Sequence, residues 1–178
     1  MICSGTDMGQ GFRTAMVQIA AETLDMDIEN IDIIIGDTDI TIPTGQSVSE
    51  RQTLCGGRAV YEACENLKKE LEKNPWKPGE IRKAQYYYVT PPTFAIGDFE
   101  GAKKKGVPYR NFPAYAYTTQ AAIVEVDKKT GEVKLLRVIA AHDVGRAINP
   151  HIIEGQIHGS CSMGQGYALT ESYPSKNG

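Results

Sequence analysis

The chain has 178 residues, of which 41% are apolar and 23% are charged, a composition typical of a globular protein rather than a disordered one. Its 19 lysines and arginines against 22 aspartates and glutamates give a formal charge of −3, so a nucleic-acid-binding protein is not expected. No apolar run approaches the roughly 18 residues of a membrane-spanning helix, so we expect no membrane segment. The opening residues, MICSGTDMGQG, lack the basic and long apolar parts of a secretory signal, which predicts a cytoplasmic location.

The cysteines and histidines do not form a metal-ligand pattern. The four cysteines are Cys3, Cys55, Cys64 and Cys161. No two of them make the CxxC pair that zinc and iron–sulfur sites use. His151 and His158 share one face of a predicted helix, but seven residues of helix separate them by roughly 10 Å. We therefore predict reduced thiols and no metal-ligating side chain.

The beginning of the chain predicts a helix followed by a strand. Residues 5–24 open on the glycine-rich segment GTDMGQG and continue with apolar residues at spacings of three and four, as on one helix face. The run IDIIIGD, residues 31–37, is rich in β-branched residues and indicates a buried strand that ends at Gly36.

A polar loop and a second helix come next. Residues 37–53 keep neither a helical nor a strand period, and loops of this length are more often functional than not. Gly56 and Gly57 introduce a helix that Asn74-Pro75 ends. Its apolar stripe consists of Val60, Cys64, Leu67 and Leu71.

Residues 75–113 predict an irregular segment, since they hold six of the nine prolines. Within the segment, YYYV at 86–89 is a candidate strand. The basic run KKKG at 103–106 stands alone, which is typical of a solvated loop rather than of a phosphate-binding patch.

The end of the chain predicts a β-hairpin and a helix. Residues Ala121–Asp127 alternate apolar and polar positions, KKTGE supplies the turn, and Val133–Asp143 returns. Pro150 suits the first turn of a helix in which apolar residues recur every four positions. Because helices and strands follow one another without a repeated βαβ unit, we predict an α+β fold with a mixed sheet and packed helices. We expect one domain over residues 1–178, with an irregular insertion or a subdomain break at 75–113.

Three segments have residues suited to binding a ligand. Gly9, Gln10 and Gly11 precede the first helix, where glycines let backbone approach a ligand closely, although a glycine-rich helix cap is an equally simple explanation. Residues 44–53 combine hydroxyls, amides and an arginine, which suit a ligand with phosphate and ring heteroatoms, or form a plain polar loop. Residues 155–159, GQIHG, place two glycines inside a helical pattern, which favours close packing or close approach of a ligand.

Taken in order, these segments resemble one family. They are GTDMGQGFRTAMVQIAAE, then TGQSVSERQTLCGGRAVYEA, then the hairpin and INPHIIEGQIHGSCSMGQGYALTE. The series resembles the molybdopterin-binding subunit of the xanthine dehydrogenase/aldehyde oxidase family, most closely its bacterial xanthine dehydrogenase-type subunits. The resemblance covers most of the chain outside residues 75–113, and it implies a C-terminal portion of that subunit.

The resemblance implies a cofactor and the residues that bind it. Members of this family hydroxylate purines, other N-heterocycles or aldehydes with water as the oxygen source. Their molybdenum is held by a pyranopterin, in bacteria commonly as the cytosine dinucleotide, and not by protein side chains. By position, the resemblance implies that the following residues contact the cofactor: Gly9, Gln10, Gly11, Ser49, Arg51, Thr53 and Gln156.

The resemblance also implies what lies elsewhere. The glutamate that acts as catalytic base belongs to a later segment of the family pattern, and Glu171 comes too early to be that base. We therefore expect no catalytic residue in this chain and no turnover by the chain alone. The expected partners are the remainder of the molybdenum subunit, iron–sulfur (2Fe–2S) and FAD domains or subunits, and a small-molecule substrate. One alternative is a non-catalytic module for cofactor binding or subunit assembly, and a second is a structural half-domain whose open faces belong to an enzyme interface.

Overall fold

A computed structural model of the chain describes residues 1–48 and 51–176. The chain divides into two units, Met1–Tyr115 and Ala116–Gly178. The first unit contains packed helices and the second an antiparallel hairpin with a helix, so the predicted α+β class is confirmed. In the described ranges, no helix has both the length and the apolar character needed to cross a membrane. The division falls just beyond residues 75–113, while a single domain over 1–178 stays a prediction.

Two helices form the core of the first unit. They are α1, Phe12–Leu24, and α2, Arg58–Lys73. α1 buries its predicted apolar face, with Met16 fully buried, and α2 contributes Val60 and Cys64. Asn74 ends α2, as the sequence predicts. The periodicity of the apolar residues therefore identified both helices and their inward faces.

The predicted strand at 31–36 is wrong. Only Ile34 pairs, in an isolated parallel bridge to Ile2. The Cys3 N–H donates to the Ile34 carbonyl at 3.0 Å, and the Ile34 N–H donates to the Met1 carbonyl at 2.9 Å. A strand needs a run of paired residues, and among the described residues the backbone of this segment pairs only in that one bridge. Ile33 is nevertheless buried in the core, so the apolar run reflects burial rather than strand pairing.

The second helical segment begins earlier than the glycine pair. Residues Gln52–Gly57 form a π-helical turn that continues directly into α2, and Arg51 already has helical backbone angles. The prediction of a loop up to Thr53 is therefore wrong at its end, although residues 42–48 are irregular. π-helical turns are rare and occur often at functional sites.

The middle segment is irregular, as predicted, with two differences. The residues YYYV at 86–89 form no strand, because no neighbouring strand pairs with them in the described chain. A short helix, α3, spans Phe99–Lys104, so the basic run lies partly in a helix and not in a loop. The Asp98 carboxylate starts α3 by accepting from the Gly101 N–H at 2.9 Å.

The second unit is built on the predicted hairpin. Strand β1, Tyr117–Val126, pairs antiparallel with β2, Val133–Asp143, and begins four residues before the predicted start. The sheet of the described residues is this antiparallel pair, and its register shifts between Ile123 and Val124. The Asp127 carboxylate fixes the turn by accepting from the N–H groups of Lys129, at 2.7 Å, and Thr130, at 3.1 Å.

The final helix, α4, spans Pro150–Leu169 and begins where the sequence predicts. The Asn149 side chain caps it by accepting from the Ile152 N–H at 3.1 Å, and Pro150 occupies the first turn. Ile157 and Cys161 face Val138 and Ala140 of β2, so one side of α4 lies over the hairpin.

Candidate cofactor-binding site

The glycine-rich loop before α1 is organised by Asp7. One oxygen of its carboxylate, Oδ1, accepts from the N–H groups of Gly9, at 3.0 Å, and Gly11, at 3.3 Å. The other, Oδ2, accepts from the Arg13 N–H at 2.9 Å. These hydrogen bonds, the one from Arg13 first, hold the pKa of Asp7 below its usual value of 3.8 against a smaller opposing effect of burial. An ionised carboxylate therefore caps α1 from within the loop.

Gln10 also bonds within the loop. Its Nε2 donates to the Thr6 carbonyl at 2.8 Å, and its Oε1 accepts from the Met8 N–H at 2.6 Å. A primary amide has two donor hydrogens and two acceptor lone pairs, so Gln10 keeps one of each for a ligand. An amide edge held in this way suits the alternating donors and acceptors of a pterin ring.

The backbone of this loop needs glycine and is open on one side. Gly9 has φ +104° and Gly11 has φ +76°, conformations that side chains with a Cβ rarely adopt. A Cβ at Gly9 would meet no atom within 4 Å. A ligand can therefore approach the backbone at Gly9 closely, and the loop fits a cofactor there.

Phe12 brings the first two predicted segments together. Its ring is 2% exposed, and it lies against Gly5 on one side and Gly56 on the other. A Cβ at Gly56 would lie 3.1 Å from Phe12 Cε2, and one at Gly5 would lie 2.8 Å from Gln52 Oε1. The glycine loop and the π-helical turn thus approach each other through positions that have no side chain.

The predicted residues of the second segment lie at the start of the π-helical turn. Arg51 is exposed, and its Nη2 donates to the Thr44 carbonyl at 2.8 Å. Thr53 is exposed within the turn itself. Ser49 lies outside the described residues. Sequence reasoning missed Gln52, whose Nε2 donates to Ser47 Oγ at 2.6 Å and ties the polar loop to the turn.

Sequence reasoning also missed Asp7, although a signal was present. An aspartate two residues before a glycine commonly accepts from the N–H group two positions ahead, as Asp7 does from Gly9. The sequence shows that local bond. It does not show that the second oxygen reaches Arg13, because that depends on how the loop folds back over α1.

A cleft of about 1420 Å³ lies in the first unit, beside these residues. Residues 1–4, the inner side of α2 and residues 82–90 line it. Arg51 and Gln52 reach it, whereas Gly9 and Gln10 do not. Its walls combine apolar side chains with polar ones, because Thr44 and Gln46 of the polar loop also line it.

Gln156 belongs to the second unit, where it is exposed on α4. A Cβ at Gly155 or Gly159 would meet no atom within 4 Å, so neither glycine serves close packing inside the described chain. Ile157 and Cys161 face the hairpin, and helical geometry puts Gln156 on the opposite side. Gln156 thus lies on an open helix face that a ligand can approach closely.

Comparison with known proteins identifies the family. The model of the molybdopterin cofactor-binding domain matches residues 1–178. The chain belongs to the xanthine dehydrogenase/aldehyde oxidase family, as part of its molybdopterin cofactor-binding domain. The resemblance seen in the three sequence segments is therefore confirmed, while the expected likeness to bacterial subunits stays a prediction.

Individual relatives show how much of such a protein the chain represents. It is 36% identical to a xanthine dehydrogenase/oxidase of Felis catus, over 98% of the chain and 14% of the relative. It is 34% identical both to a xanthine dehydrogenase of Emericella nidulans and to aldehyde oxidase 1 of Cavia porcellus, over 94% of the chain and 13% of each relative. The chain therefore spans about one seventh of the length of the curated relatives it matches.

Proposed function

We propose that the chain supplies cofactor-binding residues to a molybdenum-dependent oxidoreductase that hydroxylates purines, other N-heterocycles or aldehydes with water as the oxygen source. The match of the cofactor-binding domain model to residues 1–178 carries this proposal. Relatives named xanthine dehydrogenase and aldehyde oxidase support the substrate classes. The chain covers 13–14% of these relatives, so the reaction is that of a larger assembly.

In the first unit, we assign cofactor contacts to Gly9, Gln10, Gly11, Arg51 and Thr53. The open backbone at Gly9 and the remaining donor and acceptor of the Gln10 amide suit the edge of a pterin. Arg51 is exposed and carries a positive charge, which suits a phosphate or a nucleotide extension such as the cytosine dinucleotide.

The same proposal assigns contacts to Ser49 and Gln156. Ser49 precedes Arg51 in the second motif of the family resemblance. Gln156 presents a primary amide between two glycines, where nothing in the described chain hinders the approach of a planar ring. An amide there would read a donor–acceptor edge much as Gln10 does.

The chemistry divides between cofactor and chain. When bound, the cofactor supplies a molybdenum centre that passes oxygen from water to a carbon atom of the substrate. The chain's own residues bind and orient the pterin through amide side chains, with the ring against the open backbone at Gly9. Glu171 directly follows the end of α4, and in the family resemblance it comes before the segment that contains the catalytic glutamate, so we do not assign it as a base. We therefore propose that the chain alone turns over no substrate.

Exposed apolar residues support association with further protein. On the hairpin, Ile123, Leu136 and Ile139 are each about half exposed. Apolar side chains left exposed on a strand pair are typical of surfaces that other protein covers. We propose as partners the remainder of the molybdenum subunit and iron–sulfur and FAD domains or subunits. The cytoplasmic location stays a prediction.

Cofactor analysis of the purified chain tests the proposal. The chain is incubated with excess molybdopterin and desalted, molybdenum is measured by mass spectrometry, and pterin by fluorescence after oxidative release. We expect bound cofactor that Gln10→Ala and Gln156→Ala each reduce. Gln165→Ala is the matched control, since Gln165 lies on the side of α4 that faces the hairpin. Equal retention in all four proteins, or none in the wild type, would contradict the assigned contacts.

A further inference from the structure

The start of α1 is already occupied by a carboxylate of the chain. Unpaired N–H groups at a helix start form an anion-binding site, which phosphate groups often use. Here the N–H groups of Gly9, Gly11 and Arg13 all donate to Asp7, at 2.9–3.3 Å. A phosphate bound at α1 would have to displace this carboxylate.

The charges around Asp7 also disfavour binding of a phosphate at the start of α1. The three hydrogen bonds lower the pKa of Asp7, so the carboxylate is ionised at neutral pH. Arg13 is the cation that acts on it, but its guanidinium Nη1 donates to the Ile33 carbonyl at 2.9 Å. An incoming phosphate would therefore meet the negative charge of Asp7 at close range.

We infer that Asp7 is a positioning residue of the glycine loop. Its carboxylate holds the loop in the conformation that binds a ligand, and it favours a neutral ligand with hydrogen-bonding groups over a phosphate. The inference rests on the proposed function and deepens it, since it assigns the loop to the pterin ring of the cofactor. Phosphate groups of the cofactor must then be bound elsewhere, and the exposed guanidinium of Arg51 is suited to that role.

Phosphate titration tests the exclusion without any cofactor. The wild type, Asp7→Ala and Asp7→Asn are titrated with inorganic phosphate, and the NMR shifts of the Gly9, Gly11 and Arg13 amides are followed. Asp127→Asn is the matched control, because Asp127 also accepts from backbone N–H groups but lies in the hairpin turn.

We expect no phosphate-dependent shift at these amides in the wild type or in Asp127→Asn. In Asp7→Ala we expect these amides to shift saturably with phosphate, with a midpoint at least about tenfold below the highest concentration that leaves the wild type unshifted, since the anion then meets unpaired amides at a helix start. Asp7→Asn keeps a neutral acceptor, so we expect weaker phosphate binding at these amides than in Asp7→Ala. This variant tests the inference if Asp7→Ala does not fold. Phosphate binding in the wild type, or no gain in either variant, would overturn the inference.

Cofactor release tests the positioning role. Chains loaded with molybdopterin are diluted, and release of pterin is followed by fluorescence. We expect Asp7→Ala to release it about tenfold faster than the wild type, whereas Asp127→Asn should not differ. Equal release from Asp7→Ala and the wild type would overturn the positioning role. If the wild type binds no cofactor, the proposed function fails, and the phosphate titration still decides whether Asp7 excludes anions.

Discussion

Replacing Gly5 with alanine should destabilise the first unit, because the new methyl group would overlap the buried ring of Phe12. A Cβ at Gly5 would lie 2.5 Å from Phe12 Cε1 and 2.8 Å from Gln52 Oε1. Carbon atoms in ordinary contact are roughly 3.5–4.0 Å apart, so the overlap is about 1 Å. The ring cannot retreat, since Gly56 lies on its other side and the ring is 2% exposed. Overpacking of this kind costs about 1–3 kcal/mol, and we expect about 2–3 kcal/mol here.

Urea unfolding followed by the fluorescence of Trp76, which lies in the first unit, measures this cost. We expect the midpoint to fall by about 1–2 M urea at a typical slope for small proteins. Phe12→Leu should relieve the overlap, so Gly5→Ala combined with Phe12→Leu should cost less than the sum of the single changes. Gly5→Ala within about 0.5 kcal/mol of the wild type, or strictly additive costs, would refute the packing argument.

Three further outcomes follow from the site and the core. The pKa of Asp7 is lowered in the folded state, so its stabilising contribution is present above the unfolded pKa and is lost as the pH falls through the folded pKa. In unfolding measured at a series of pH values, the free energy of unfolding of Asp7→Asn should therefore fall less at acid pH than that of the wild type. Burial raises the pKa of Cys3 to about 11 and also raises that of Cys64. Mass spectrometry after brief alkylation at pH 8 should therefore find Cys55 modified before Cys3 and Cys64. The reverse order would contradict the burial of these two thiols. Gly155→Ala should stabilise α4 by up to about 1 kcal/mol in thermal unfolding and should still weaken cofactor retention. Unchanged retention would contradict the proposal that the cofactor approaches α4 closely at Gly155.

The sequence predicted the parts of the fold that depend on neighbours along the chain. The apolar spacing identified α1, the alternation identified β1 and β2, and Pro150 marked the start of α4. The same reasoning failed for residues 31–36 and 86–89, where strand-like composition occurs without a strand. Composition reports that a segment can be buried or extended, whereas a strand exists only where another segment pairs with it.

The sequence by itself determined the family, the helix faces and which residues are candidates to bind the cofactor, because all three are patterns of residue type and spacing. Only the tertiary structure decided that Phe12 joins the glycine loop to the π-helical turn. It also decided that the Asp7 carboxylate accepts from the amides of Gly9, Gly11 and Arg13. Both depend on distances between groups that the folded backbone brings together, and such distances follow from close packing, which no local spacing of residues encodes.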